Sequence, residues 1–150
     1  MISSILVAID GSSHSMRAAD TAFELASALK AKAVLLNVAK SREIPDAMRK
    51  FAEAEQFPQQ EVDLLEFLKR GAENMLSEAA DKARSEGVED IVCEVKEGPI
   101  ARTIIARAEH HKANLIVIGS RGMGDIEGYL RGGVSHRVEM IAKCPVLIVK

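Results

Sequence analysis

Leu115-Ile116-Val117-Ile118-Gly119-Ser120-Arg121-Gly122, continued nine residues later by Gly132-Gly133-Val134, reads as a strand, a glycine-rich turn and the entrance of a helix. The first four residues form an unbroken apolar run, as in strands covered on both faces of a parallel sheet. The glycines then leave backbone N–H groups unblocked by Cβ atoms. Val134, Val138 and Ile141 follow at helical spacing, so the loop opens onto a helix N-terminus with its partial positive charge. Such a turn is a ready site for phosphate oxygens. It is also the layout of an ordinary strand-to-helix connection. What favours the functional reading is a second motif, Asp10-Gly11-Ser12, at the end of the first apolar run.

Working outward, four more short apolar runs occupy residues 5–9, 33–38, 91–95 and 146–149. Segments of helical period separate them. Ala18, Ala22, Leu25, Ala26 and Leu29 form one stripe, and Leu68, Ala72, Met75, Leu76, Ala79 and Ala83 a second. Ala101, Ile104, Ile105 and Ala108 form a third. Ser12 or Ser13 is placed to cap the first helix, Gly87 to end the second, and Pro99 to stand in the first turn of the third. Strands alternating with helices predict a doubly wound α/β fold with a parallel sheet and right-handed crossovers. Ligands in such sheets bind beyond the carboxyl ends of the strands, where the strand order reverses. Asp10 and Gly119 both end strands, so neighbouring first and fourth strands bring the two motifs to one crevice. Residues 40–60, bounded by Pro45 and Pro58, are the least regular stretch and are expected to be either a lid beside that crevice or a plain surface excursion.

A chain of 150 residues with 47% apolar and 28% charged content is expected to form one domain spanning residues 1–150. Aromatics are only 3%, so the core is aliphatic and there is no stacking platform for single-stranded nucleic acid. A net charge of −2 gives no general field for nucleic acid or anionic lipid, so an anion has to be held by local geometry. Cys93 and Cys144 are expected as buried free thiols of a reducing compartment. No run approaches the ~20 residues of a membrane span, and the first residues lack a secretory pattern, so a cytoplasmic location is expected.

Other chemistries find little support. There is no GxxxxGK[ST] loop. Gly122-Met123-Gly124 is followed by Gly128, one position late for a dinucleotide fingerprint. Gly119-Ser120-Arg121-Gly122 is not a GxSxG nucleophile elbow. His110-His111 reads as a solvated, dipole-favoured helix end rather than a metal site. Ser135 and His136, adjacent on a helix, point in different directions and form no catalytic pair. Asp10 on its own has two readings, a cap for the turn that follows or a carboxylate accepting from a ribose.

Asp10-Gly11-Ser12 with Ser15 and Ala18, Gly119-Ser120-Arg121-Gly122 with its nine-residue gap to Gly132, and the closing residues 144–149 together resemble the universal stress protein family. The resemblance covers essentially the whole chain and points to the ATP-binding branch. It implies a five-stranded parallel sheet in the order 3-2-1-4-5, helices on both faces, and a homodimer; in that order the last strand is an apolar edge, and pairing of two copies through it is expected. By the same resemblance, Asp10 holds the ribose and the main chain at Val38 meets the adenine edge. Gly119, Gly122 and Gly132 line the phosphates at the turn into Gly133 and Val134, and Arg121 adds a phosphate contact. The ligand is then ATP, ADP or AMP, accompanied by Mg2+ or Mn2+, and the protein is a sensor or switch with an unidentified protein partner. A slow ATPase and a nucleotide-free dimeric interaction module are the alternatives. One position departs from the family pattern: Gly133 stands where that branch has Ser or Thr. A lost hydrogen bond to a charged group, about 1.5–3 kcal/mol, implies roughly ten- to a hundredfold weaker ATP binding or a preference for fewer phosphates.

Overall fold

A computed structural model describes residues 1–40, 58–122 and 133–150, the side chains of residues 58–65 excepted. Strands and helices alternate as the apolar runs predict: β1 (Ser4–Ala8), α1 (Ser13–Leu29), β2 (Lys32–Ala39), α2 (Pro58–Ser85), β3 (Ile91–Glu97), α3 (Ile100–His110), β4 (Leu115–Gly119), α4 (Gly133–Ile141) and β5 (Val146–Val149). All pairings are parallel and the order is β3-β2-β1-β4-β5. The expected doubly wound topology is therefore the observed one.

Alternate residues of each strand feed two aliphatic cores. Ile5, Val7, Leu35 and Val117 meet Phe23 of α1 and Leu76 of α2 on one face. Leu6, Leu36, Ile116 and Ile118 meet Ile104 of α3 and Val138 of α4 on the other. The helix ends are set locally. Ser12 caps α1, its hydroxyl accepting from the Ser15 N–H at 3.2 Å. Gly87 takes φ +90° just past α2, and the next N–H, of Val88, returns to Ala83 O at 3.0 Å. No helix among the described residues is long and apolar enough to cross a membrane.

Four expectations need correction or fall outside the description. Cys93 is exposed and Cys144 only half-buried, because β3 is an edge strand and Cys144 precedes the other edge. Both are free thiols, and partial burial of the sulfur atom itself pushes each thiol pKa up. Pro99 stands at the N-cap of α3 rather than inside its first turn. His111 is not a solvated helix end: its side chain is 11% exposed, with Nε2 3.1 Å from Glu94 Oε1. Arg107 grips the same carboxylate with Nε and Nη2, each at 2.7 Å. Burial pushes the Glu94 pKa up, but the hydrogen bonds from Arg107 and His111 outweigh it, and the net direction is down. The candidate lid cannot be placed, since residues 41–57 lie outside the description.

Candidate functional site

Asp10 sits two residues beyond β1, and the sequence around it holds it there. Its Oδ1 accepts the Ser12 N–H at 2.9 Å, the familiar Asx turn. Its own N–H donates to Ser15 Oγ at 3.2 Å, and that hydroxyl donates to Ser12 O at 3.0 Å. Ser15 is buried, so the Asp-Gly-Ser-x-x-Ser spacing works as a clamp on the strand end. Gly11, at φ +85°, makes the turn possible. The capping reading of this segment and the exposure of Asp10 at a strand end are thus both seen together. Beside it, Asn37 Nδ2 donates to Ile9 O at 2.8 Å, which ties β2 to the chain where it leaves β1.

The glycine segment closes onto this clamp. A Cβ on Gly119 would stand 2.7 Å from the backbone carbon of His14 and 2.8 Å from Ser15 N, so the end of β4 is pressed against the start of α1. A Cβ on Gly122 would stand 2.8 Å from Asp10 Oδ2. Backbone therefore leaves no room for a Cβ at Gly119, whereas at Gly122 a Cβ would require the Asp10 carboxylate to move. Those contacts also bring the two motifs, far apart in sequence, to one place.

A cavity of about 200 Å³ opens there. Leu36, Val38, Ile100, Ile104 and Ile118 give it an apolar wall. Asp10, Gly119, Arg121, Gly122 and Val134 border it as well. Six of the residues singled out from the sequence thus share one cavity. Gly133 does not line it, though it is the first residue of α4, and a Cβ there would meet nothing within 4 Å. Gly132 lies outside the described residues. Ser15, Lys40 and Ser135 line the cavity without having been singled out as binding residues. Only Ser15 had a signal, in its spacing from Asp10.

Sequence reading missed a neighbouring pair altogether. Ser120 Oγ and His14 Nδ1 lie 2.9 Å apart across 106 residues of chain. The Ser120 N–H donates to Val149 O at 2.7 Å, carrying the β4–β5 ladder to the mouth of the sheet. Ser120 and His14 border a second cavity, which adjoins the first through Arg121 and Ser135.

A parallel sheet whose order reverses at β1 and β4, with a crevice at that reversal, defines the class: a doubly wound α/β protein with a crevice at its switch point. The sequence family is equally clear. The model of the universal stress protein family matches residues 1–150, and the chain belongs to that family. It is 33% identical, over the full length of both chains, to the universal stress protein YxiE of Bacillus subtilis strain 168. The universal stress protein UspA from Lactobacillus plantarum superposes with a TM-score of 0.83 at 21% identity, covering 99% of this chain and 98% of that one. A universal stress protein solved in complex with cAMP gives a TM-score of 0.70 at 28% identity, covering 99% and 96%.

Proposed function

We propose that this universal stress protein binds an adenine nucleotide between Asp10 and the turn that runs from Gly119 to Gly133, and acts as a cytoplasmic sensor or switch built as one domain. The observation that carries the reading is the shared cavity: an exposed carboxylate, an aliphatic wall and two glycines pressed against the Asp10 segment, at the strand-order reversal. The aliphatic wall suits a flat base, with the main chain at Val38 at its edge. Asp10 accepts from ribose hydroxyls. Gly119, Gly122 and Gly132 let phosphate oxygens approach backbone N–H groups at the start of α4, with Arg121 beside them. The solved relative that holds cAMP supports an adenine ligand. Among the described residues no group of three or more His, Cys, Asp or Glu forms a metal cage, so Mg2+ or Mn2+ would enter with the phosphates of ATP, ADP or AMP. The reading extends to a homodimer paired through β5, an uncharged edge strand.

Gly122→Val tests it. The new side chain collides with the Asp10 carboxylate and blocks the phosphate approach together. Calorimetry is expected to show ATP affinity falling at least about a hundredfold, for two lost charge-assisted contacts. Equal binding by both proteins removes the phosphate-loop assignment.

A further inference from the structure

The cavity beside Ser120 and His14 takes no part in the nucleoside reading. It is the larger of the two, at about 650 Å³. Its wall is unlike the first: Arg121 and Lys150 contribute fixed cations, and His14 and His136 contribute imidazoles. Among the described lining residues Glu139 is the sole side-chain carboxylate, and it is turned towards His136, 3.8 Å from Nδ1. Arg17 stands close by, its Nε donating to the main-chain oxygen of Lys150 at 3.0 Å. In a chain with a net charge of −2, Arg121, Lys150 and Arg17 gather three permanent cations at one place.

Two geometric points turn that gathering into a subsite. His14 is held in place, because Ser120 occupies its Nδ1 and leaves Nε2 as the nitrogen a ligand can meet. The first cavity, at about 200 Å³, is smaller than the roughly 300–1,000 Å³ of a small-molecule pocket. Arg121 and Ser135 line both cavities, so the second lies directly beside the first.

We infer that the cavity bounded by His14, Ser120, His136 and Lys150 is a second anion subsite, which receives the far end of a condensed phosphate chain longer than a triphosphate. Two sources share that chemistry, the tail of an adenosine polyphosphate and free inorganic tripolyphosphate. The nucleotide source rests on the proposed adenine site, whereas the inorganic source does not.

The experiment compares the wild-type chain with a variant carrying His14→Gln, His136→Gln and Lys150→Gln. Glutamine at position 14 retains a hydrogen-bonding partner for Ser120, and the other two side chains are outside the cores. Calorimetry is run with AMP, ATP, adenosine tetraphosphate and inorganic tripolyphosphate. Wild type is expected to bind the tetraphosphate at least about tenfold more tightly than ATP, and the variant to bind the two within about twofold, with AMP affinity the same in both proteins. A tetraphosphate-to-ATP ratio that is equal in wild type and variant, with tripolyphosphate also bound equally or not at all, overturns the subsite. Tripolyphosphate bound by wild type but not by the variant supports the free-anion source. Failure of tripolyphosphate to bind, with the tetraphosphate preference intact and lost in the variant, supports the nucleotide tail. If AMP and ATP fail to bind wild type, the adenine site falls, and the tripolyphosphate arm alone decides the subsite.

Discussion

β1 and β5 are built from nearly the same aliphatic residues, yet they live in different surroundings. Ser4, Ile5, Leu6 and Val7 of β1 are all buried, whereas Val146, Leu147, Ile148 and Val149 of β5 are all half-exposed. Position in the sheet causes the difference: β1 lies at the centre and β5 at an edge. The other edge shows a second solution. β3 alternates Glu94, Lys96 and Glu97 into its sequence, and Arg107 and His111 of α3 fasten down Glu94. Charged side chains on an edge discourage pairing with another chain, and β5 has none. The candidate site belongs to the centre, since only there do strands leave towards opposite faces and open a crevice.

The largest contrast comes from one substitution at the centre and one at the bare edge. Leu6→Ala removes a fully buried side chain and is expected to cost about 3 kcal/mol or more, whatever the protein concentration. Leu147→Lys puts a charge on a half-exposed strand. If β5 pairs with its copy about a two-fold axis, light scattering should show the mass of the wild type halved in this variant, with the subunit still folded. A wild type that is monomeric at micromolar concentration, with its mass unchanged by Leu147→Lys, removes the β5 interface. Denaturant unfolding at two protein concentrations separates the two kinds of loss.

The same contrast explains what could be read from the sequence. Five apolar runs and four helical stripes gave the class of fold, because each run needs a covering layer and the stripes supply it. The strand order came from the family likeness, and the exposure of Cys93 was missed because a run of β-branched residues looks alike at a centre and at an edge. The motifs at Asp10 and Gly119 were legible because a turn at a strand end has strict local chemistry. The Ser120–His14 contact and the Glu94–Arg107–His111 cluster were not. Each joins residues from separate elements, and no periodicity or spacing records such a meeting.

The charged edge offers a smaller, pH-dependent test. Glu94 has its folded-state pKa lowered, against the effect of burial, by hydrogen bonds from Arg107 and His111. A lowered carboxylate pKa contributes stability that is fully present above the unfolded value. That contribution is lost as pH falls through the folded value. Glu94→Gln is therefore expected to reduce stability at neutral pH by about 1.5–3 kcal/mol and to flatten its decline on the acid side. Urea unfolding between neutral pH and pH 3 provides the measurement. Parallel profiles for the two proteins would show that the cluster does not anchor the β3 edge.

The smallest expected effect on the fold returns to the centre, at Gly133. A serine there meets no steric obstacle, because a Cβ at this position has nothing within 4 Å. At the start of α4 it would stabilise the unliganded fold by only a few tenths of a kcal/mol over glycine. Its effect on ligand is expected to be larger and selective. If the hydroxyl faces the distal phosphates, Gly133→Ser tightens ATP about tenfold and leaves AMP unchanged, the gain of one hydrogen bond to a charged group. General stiffening of the helix entrance cannot imitate this, since it acts on both nucleotides alike. The ratio of ATP to AMP dissociation constants in the two proteins is the deciding quantity. A ratio unaltered by the serine places the distal phosphates away from Gly133, and the missing hydroxyl then has no bearing on how many phosphates this protein prefers.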